Sequence, residues 1–204
     1  MVVDDFWRFT WVNFIKEKSY TFEAFKELCQ RLQREKESVI VRIRSDHGNE
    51  FENVKFSEFW SWGICHEFSS PITPQQNGVV KRNSKTLQES ARVMLHAKTL
   101  PYHFWDEAMN IACYIHNRVT LRAATSSTLW IVEREEPTVK YFHVFGSKCY
   151  IFADREQRRK MDPKSDEWIF LGYSTNSRAY IVFKSRTKVM TKSINVVVDD
   201  WCAD

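Results

Sequence analysis

The hydrophobic period changes partway along this chain, and that change restricts it to an α/β part followed by an all-β part. Before residue 126, apolar residues recur every three or four positions in three stretches, the mark of helices that bury one face. Phe22, Phe25, Leu28, Cys29 and Leu32 predict a helix over about 21–36, with Thr21 available as its cap. Val80, Leu87, Ala91, Met94 and Leu95 predict a second over 79–98, and Phe104, Ala108, Ile111, Ile115 and Val119 a third after Pro101. Short β-branched or aromatic runs lie around them at 1–3, 7–15, 39–43 and 64–68, with a brief helical stretch at 54–62. Of these, Val39 to Ile43 reads as a buried strand. From Tyr141 to Phe152 and from Trp168 to Val198, β-branched and aromatic residues continue without a helical period, broken by Gly146 and Gly172. A boundary near 126–140 follows, with a β module small enough to lean on what precedes it.

With 204 residues, the chain has room for one domain or two small ones, and 43% hydrophobic content excludes disorder. No apolar run approaches the roughly 20 residues that span a bilayer, and the opening MVVDDFWRF lacks the order of a signal peptide, so an intracellular chain with no membrane partner is expected. The first residues run directly into a strand pattern, which reads as a truncated start. Five cysteines at least 36 residues apart form no disulfide framework or zinc knuckle and read as buried thiols.

Three sequence features bear on chemistry. Asp46, in S-D-H-G-N-E-F, stands at a strand's C-terminal end, where an aspartate serves as a turn former as well as a catalyst. Lys81, Lys85, Gln88 and Arg92 follow at i, i+4, i+7 and i+11 on the predicted helix, with Arg82 and Lys98 alongside. Such a stripe either contacts phosphates or is a solvated face, and a net charge of +4 is compatible with both. A second basic cluster, Arg155 to Lys160, reads as an exposed loop of the β module.

Taken together, V-D-D-F-W-R-F-T-W-V, S-D-H-G-N-E-F, S-S-P-I-T-P-Q-Q-N-G-V-V, L-P-Y-H-F-W-D-E-A-M-N-I-A-C-Y-I-H-N-R, F-G-S-K-C-Y and I-F-L-G-Y-S form an ordered series. It resembles the integrase catalytic core of Ty1/copia-type retrotransposon Pol polyproteins over nearly the whole chain. The resemblance implies an RNase H-like α/β fold for 1–125, a linker at 126–138, an SH3-like β module at 139–199 and a tail at 200–204. It also implies a DNA strand-transfer chemistry in which three carboxylates hold two Mg²⁺ or Mn²⁺ ions that stabilise the attacking and leaving oxygens.

Here that set is broken twice. Asp46 matches the second carboxylate, Lys81 stands where the glutamate is expected, and the first aspartate falls upstream of Met1. An ammonium cannot ligate Mg²⁺ and repels it. Asp4, Asp5 and Glu50 match other positions, and the histidines read as surface or core residues, not zinc ligands. The expectation is therefore a fragment of an integrase that is catalytically inactive and binds no metal. DNA is the expected partner of the basic helix through Lys81, Arg82, Lys85 and Arg92, with oligomerisation following from the resemblance and a nuclear location if DNA binding is retained. The alternatives are a non-catalytic DNA-binding or assembly module, or decayed element sequence with no selected role.

Overall fold

A computed structural model describes residues 1–5, 8–48, 50–70, 77–119, 142–152, 165–174 and 177–200. The expected linker at 126–138, the basic cluster at 155–160 and Cys202 lie outside the described residues. Packing divides the chain into two compact units, 1–85 and 86–204. Helix α3, Gly78–Ala97, begins in the first and ends in the second.

In the first unit, β1 (Val2–Val3) pairs antiparallel with β2 (Thr10–Trp11), much shorter than the strand predicted over 7–15. Helix α1 runs Thr21–Lys36 as expected, but Thr21 does not cap it. A 3-10 turn, Lys18–Tyr20, leads directly in, so Thr21 is already helical and Tyr20 takes the cap position without a side-chain bond. At the other end Glu37 adopts a left-handed φ of 50°, and its N–H bonds back to Gln33.

Strand β3 (Arg42–Ser45) and strand β4 (Cys65–Phe68) form a separate parallel pair, registered Arg42 to Cys65 and Ser45 to Phe68. The run 39–43 is not the buried strand the sequence suggested: Val39 is 75% exposed and Val41 71%. Ile40 and Ile43 instead turn inward onto Cys29, Phe59 and Ile64, so only one face of this segment meets a core. Between the two strands, α2 (Val54–Trp60) is capped by Asn53, whose side-chain oxygen accepts from the Phe56 N–H. It delivers Phe56, fully buried, against Phe22 and Phe25 of α1 at centroid distances of 5.0 and 5.7 Å.

In the second unit, the latter part of α3 buries Leu87, Ala91 and Leu95. Pro101 precedes a 3-10 turn, Tyr102–Phe104, that runs into α4 (Trp105–Val119). Strands β5 (Lys148–Phe152), β6 (Ser165–Tyr173), β7 (Tyr180–Lys184), β8 (Val189–Ser193) and β9 (Val196–Asp199) make an antiparallel sheet ordered β8-β7-β6-β5-β9. A bulge between Phe170 and Gly172, where Gly172 has a φ of +146°, shifts the β6–β7 register. Helix α4 packs on this sheet through Tyr114, stacked on Tyr173 at 4.5 Å, and the 3-10 turn before it adds Phe104, edge-on to Phe183 at 4.9 Å. The α/β class expected before residue 126 and the β-rich module after it are both present.

Three of the expected buried thiols are buried, and burial pushes Cys29 and Cys113 up to about 11 and Cys149 to about 12. Cys65 is not: as the first residue of β4, opposite exposed Arg42, it lies on the solvent side.

Candidate functional site at the end of the parallel strands

Two hydrogen bonds bring the sequence-predicted site residues to one end of the β3–β4 pair. Ser45 closes β3, and its carbonyl accepts from the Ser69 N–H at 2.9 Å. The Ser69 hydroxyl in turn accepts from the Asn77 amide at 3.0 Å. Asn77 is the residue before α3, so Asp46, next after Ser45, and the first turn of α3 share that end of the pair. Asn83, further along α3, donates to the buried Thr10 hydroxyl at 3.2 Å and ties the helix to β2 as well.

Asp46 is exposed and so is Lys81, and no ion pair joins them. The carboxylates nearest Asp46 in sequence are engaged elsewhere. Glu50 lies 3.8 Å from the Lys18 ammonium, and Glu52 accepts at 2.8 Å from His47 Nδ1 when that nitrogen carries the proton. Among the described residues no three His, Cys, Asp or Glu side chains gather as metal ligands do.

Along α3, Lys81, Arg82, Lys85 and Arg92 are all exposed. The helix is continuous, so the i, i+4 and i+11 spacing sets Lys81, Lys85 and Arg92 in one row. Arg82 donates from Nε to the Gly78 carbonyl at 3.2 Å, covering one of the helix's first carbonyls, and the Arg92 guanidinium lies 5.9 Å from the Trp105 ring centre.

A feature the sequence reading missed is the ring stack behind Asp46. His66 lies flat on Trp60 at 4.3 Å, Trp60 on buried Phe56 at 5.3 Å, and His47 on Phe68 at 4.8 Å. The Ser45 hydroxyl donates to the Asp46 carbonyl at 2.9 Å and lies 3.0 Å from His66 Nε2. With its single proton committed, that hydroxyl accepts from a ring protonated on Nε2. Burial lowers the His66 pKa, which favours the neutral ring. The Trp60 and His66 spacing carries no motif, and only the parallel pairing of β3 with β4 brings Ser45 and His66 together.

Residues 147–203 match the retroviral polymerase SH3-like domain. Across 199 residues the chain is 36% identical to the retrovirus-related Pol polyprotein from transposon TNT 1-94 of Nicotiana tabacum, covering 96% of this chain and 15% of that protein. It is 32% identical over 202 residues to the corresponding polyprotein from transposon RE1 of Arabidopsis thaliana, covering 98% of this chain and 14% of that protein. The chain thus spans about one seventh of the length of these relatives. Among solved structures it is similar to a simian T-cell lymphotropic virus intasome in complex with PP2A regulatory subunit B56 gamma. The TM-score is 0.46 at 14% identity, covering 87% of this chain and 62% of that one. It is also similar to the HTLV-2 integrase catalytic core domain in complex with magnesium, with a TM-score of 0.40 at 23% identity over 57% of this chain and 69% of that one. By kinship along nearly its whole length and the SH3-like match near its end, this chain is a homologue of one segment of the retrovirus-related Pol polyproteins of transposons.

Proposed function

We propose that this chain is a copia-type integrase segment, an RNase H-like catalytic-core portion followed by its SH3-like module, that lacks strand-transfer activity and binds DNA through α3. The observation that carries the reading is Lys81: an exposed ammonium in the first turn of α3, at the same end of the β3–β4 pair as Asp46. One exposed carboxylate and one ammonium do not fit a two-metal centre. An ammonium offers no lone pair and repels a divalent cation. The neighbouring Glu50 and Glu52 do not complete the set, because their partners are Lys18 and His47.

Duplex DNA needs no metal to bind cations at regular spacing. Lys81, Lys85 and Arg92 stand about one or two turns apart on one helix, and each phosphate neutralised releases counterions. A nuclear location belongs to the same reading and stands or falls with DNA binding, whereas self-association follows from the resemblance to the integrase family.

Strand transfer assayed with Mn²⁺ and oligonucleotides mimicking element ends is expected to give no joined product. Product that disappears in Asp46→Ala would overturn the claim of inactivity, and recovery of turnover by Lys81→Glu alone would overturn the reading that the carboxylate set is broken twice. Filter binding to duplex DNA is expected to weaken steeply with salt, and Lys85→Ala with Arg92→Ala to flatten that log–log slope by roughly 2. Unchanged affinity and slope would make the stripe a solvated face.

A decayed-element reading draws on a different observation. Among the described residues, the first unit's strands form two separate two-stranded pairs, and Val39 and Val41 stand largely in solvent. Two-stranded sheets are marginal alone. An uncooperative melt with poor solubility would favour that reading over the binding one.

A further inference from the structure

We propose that the first unit carries a docking site for a basic peptide segment, separate from the DNA-binding helix, in the cavity beside α2. This cavity, about 500 Å³, is lined by Phe51, Trp60 and Phe68, with Val54 on its rim and Glu52 and Glu58 among its walls. It does not coincide with the residues assigned to DNA or to the former metal centre.

Its shape is held by rings already fixed in place. Trp60 is clamped between Phe56 and His66, and Phe68 is covered on one face by His47, so the apolar wall is formed before any ligand arrives. Solvent reaches it: Phe68 is 41% exposed and Val54 72%.

The charge around it is negative in a chain whose net charge is +4. Both ionisable residues that line it, Glu52 and Glu58, are carboxylates, Glu50 nearby is paired with Lys18, and the one lysine between Asp46 and Glu58 is Lys55. Lys55 turns away, pairing with Glu23 of α1 at 3.5 Å and lying over the Phe22 ring. Glu52 has one oxygen on His47, and the exposed Glu58 carboxylate has neither hydrogen bond nor ion pair among the described residues.

An apolar aromatic floor with carboxylates at the wall complements a side chain with a long carbon stem and a cationic head. Arginine and lysine have that form, and the ring faces add attraction for the cation. A polyphosphate backbone would meet repulsion here. The occupant to which the site commits is therefore a short segment in which arginine or lysine alternates with apolar residues. This inference does not depend on DNA binding by α3.

The test is fluorescence anisotropy on the full chain with a fluorescein-labelled eight-residue peptide of alternating arginine and leucine. The glutamate–leucine peptide serves as control. Saturable binding of the basic peptide is expected, weakened about tenfold or more by Glu58→Lys, with no binding of the acidic peptide. Val54→Lys, at an exposed rim position that folding does not need, is expected to act in the same direction. Glu58→Lys should leave DNA affinity no weaker. Wild-type affinity in both variants, equal binding of the acidic peptide, weaker DNA binding by Glu58→Lys, or no binding at 1 mM peptide would each overturn the proposal.

Discussion

Replacing Asp200 should loosen the β module in a way that pH can identify. The carboxylate accepts from the Val144 N–H at 2.9 Å through one oxygen, and its other oxygen lies 2.8 Å from His143 Nδ1. The residue just after the last strand thereby holds the segment that leads into the first strand of that sheet. His143 is held from a second side, its N–H donating to the Tyr173 hydroxyl at 2.8 Å. Desolvation works to raise the Asp200 pKa, but the bonds from His143 and Val144 together outweigh it, and the pKa lies below the usual value.

Hydrogen bonds to a charged group contribute about 1.5–3 kcal/mol each when sheltered. Asp200 is 27% exposed and Val144 50%, so the freed N–H would rehydrate and the smaller figures apply. Asp200→Ala is expected to cost about 2 kcal/mol, and Asp200→Asn, which keeps an acceptor but loses the charge, about 1 kcal/mol. At roughly 2–4 °C per kcal/mol for a chain of this size, Tm should fall by about 4–8 °C in the alanine variant. Because the folded pKa is depressed, the contribution is complete above the unfolded pKa of about 3.9 and is lost as pH falls through the lower folded value. Thermal melts followed by near-ultraviolet circular dichroism at pH 7 should therefore separate wild type from both variants, and on acidification through the folded pKa the gap to Asp200→Asn should close while the gap to Asp200→Ala shrinks by about half. A gap between wild type and Asp200→Asn that does not narrow on acidification, or equal Tm values at pH 7, would refute the reasoning.

Phe56→Ala removes a side chain with no exposure that four rings contact, Phe22, Phe25, Phe51 and Trp60, and should cost about 3–5 kcal/mol, read as a lower denaturation midpoint in urea. A loss under 1 kcal/mol would mean that the first unit's core is not packed as described. Gly146→Ala should be similarly harmful in the second unit. Gly146 has a φ of +83°, and an added Cβ would lie 2.7 Å from Leu100 Cδ1 and 2.9 Å from Lys98 Cβ. A cost above about 1–2 kcal/mol, the strain of the left-handed backbone alone, is expected by urea titration, and a neutral result would contradict the close approach. Cys149 should resist alkylation by iodoacetamide in the folded chain while Cys65 reacts, since one thiol is buried with its pKa pushed up to about 12 and the other is exposed. Equal labelling rates would place Cys149 nearer solvent than its burial allows.

Periodicity alone located α1, α3 and α4, because a helix that buries one face repeats its apolar residues whatever it packs against. It also separated the α/β portion from the β-rich one, and the ordered motifs singled out Asp46 and Lys81 as candidate site residues. What local pattern could not give were the relations set by distant partners. Val39 and Val41 carry the composition of a buried strand, yet they face solvent because a core covers only one side of that segment. Asp46 and the start of α3 meet at one strand end only through Ser45, Ser69 and Asn77. The ring stack of Phe56, Trp60 and His66 joins α2 to β4, and the pair of Phe68 and His47 joins β4 to the residues just after β3, contacts that no sequence motif marks. One-dimensional order records which side chains are apolar and how often they recur. Which of them end up touching depends on the pairing of β3 with β4 and the docking of α2, a choice made by the whole folded unit.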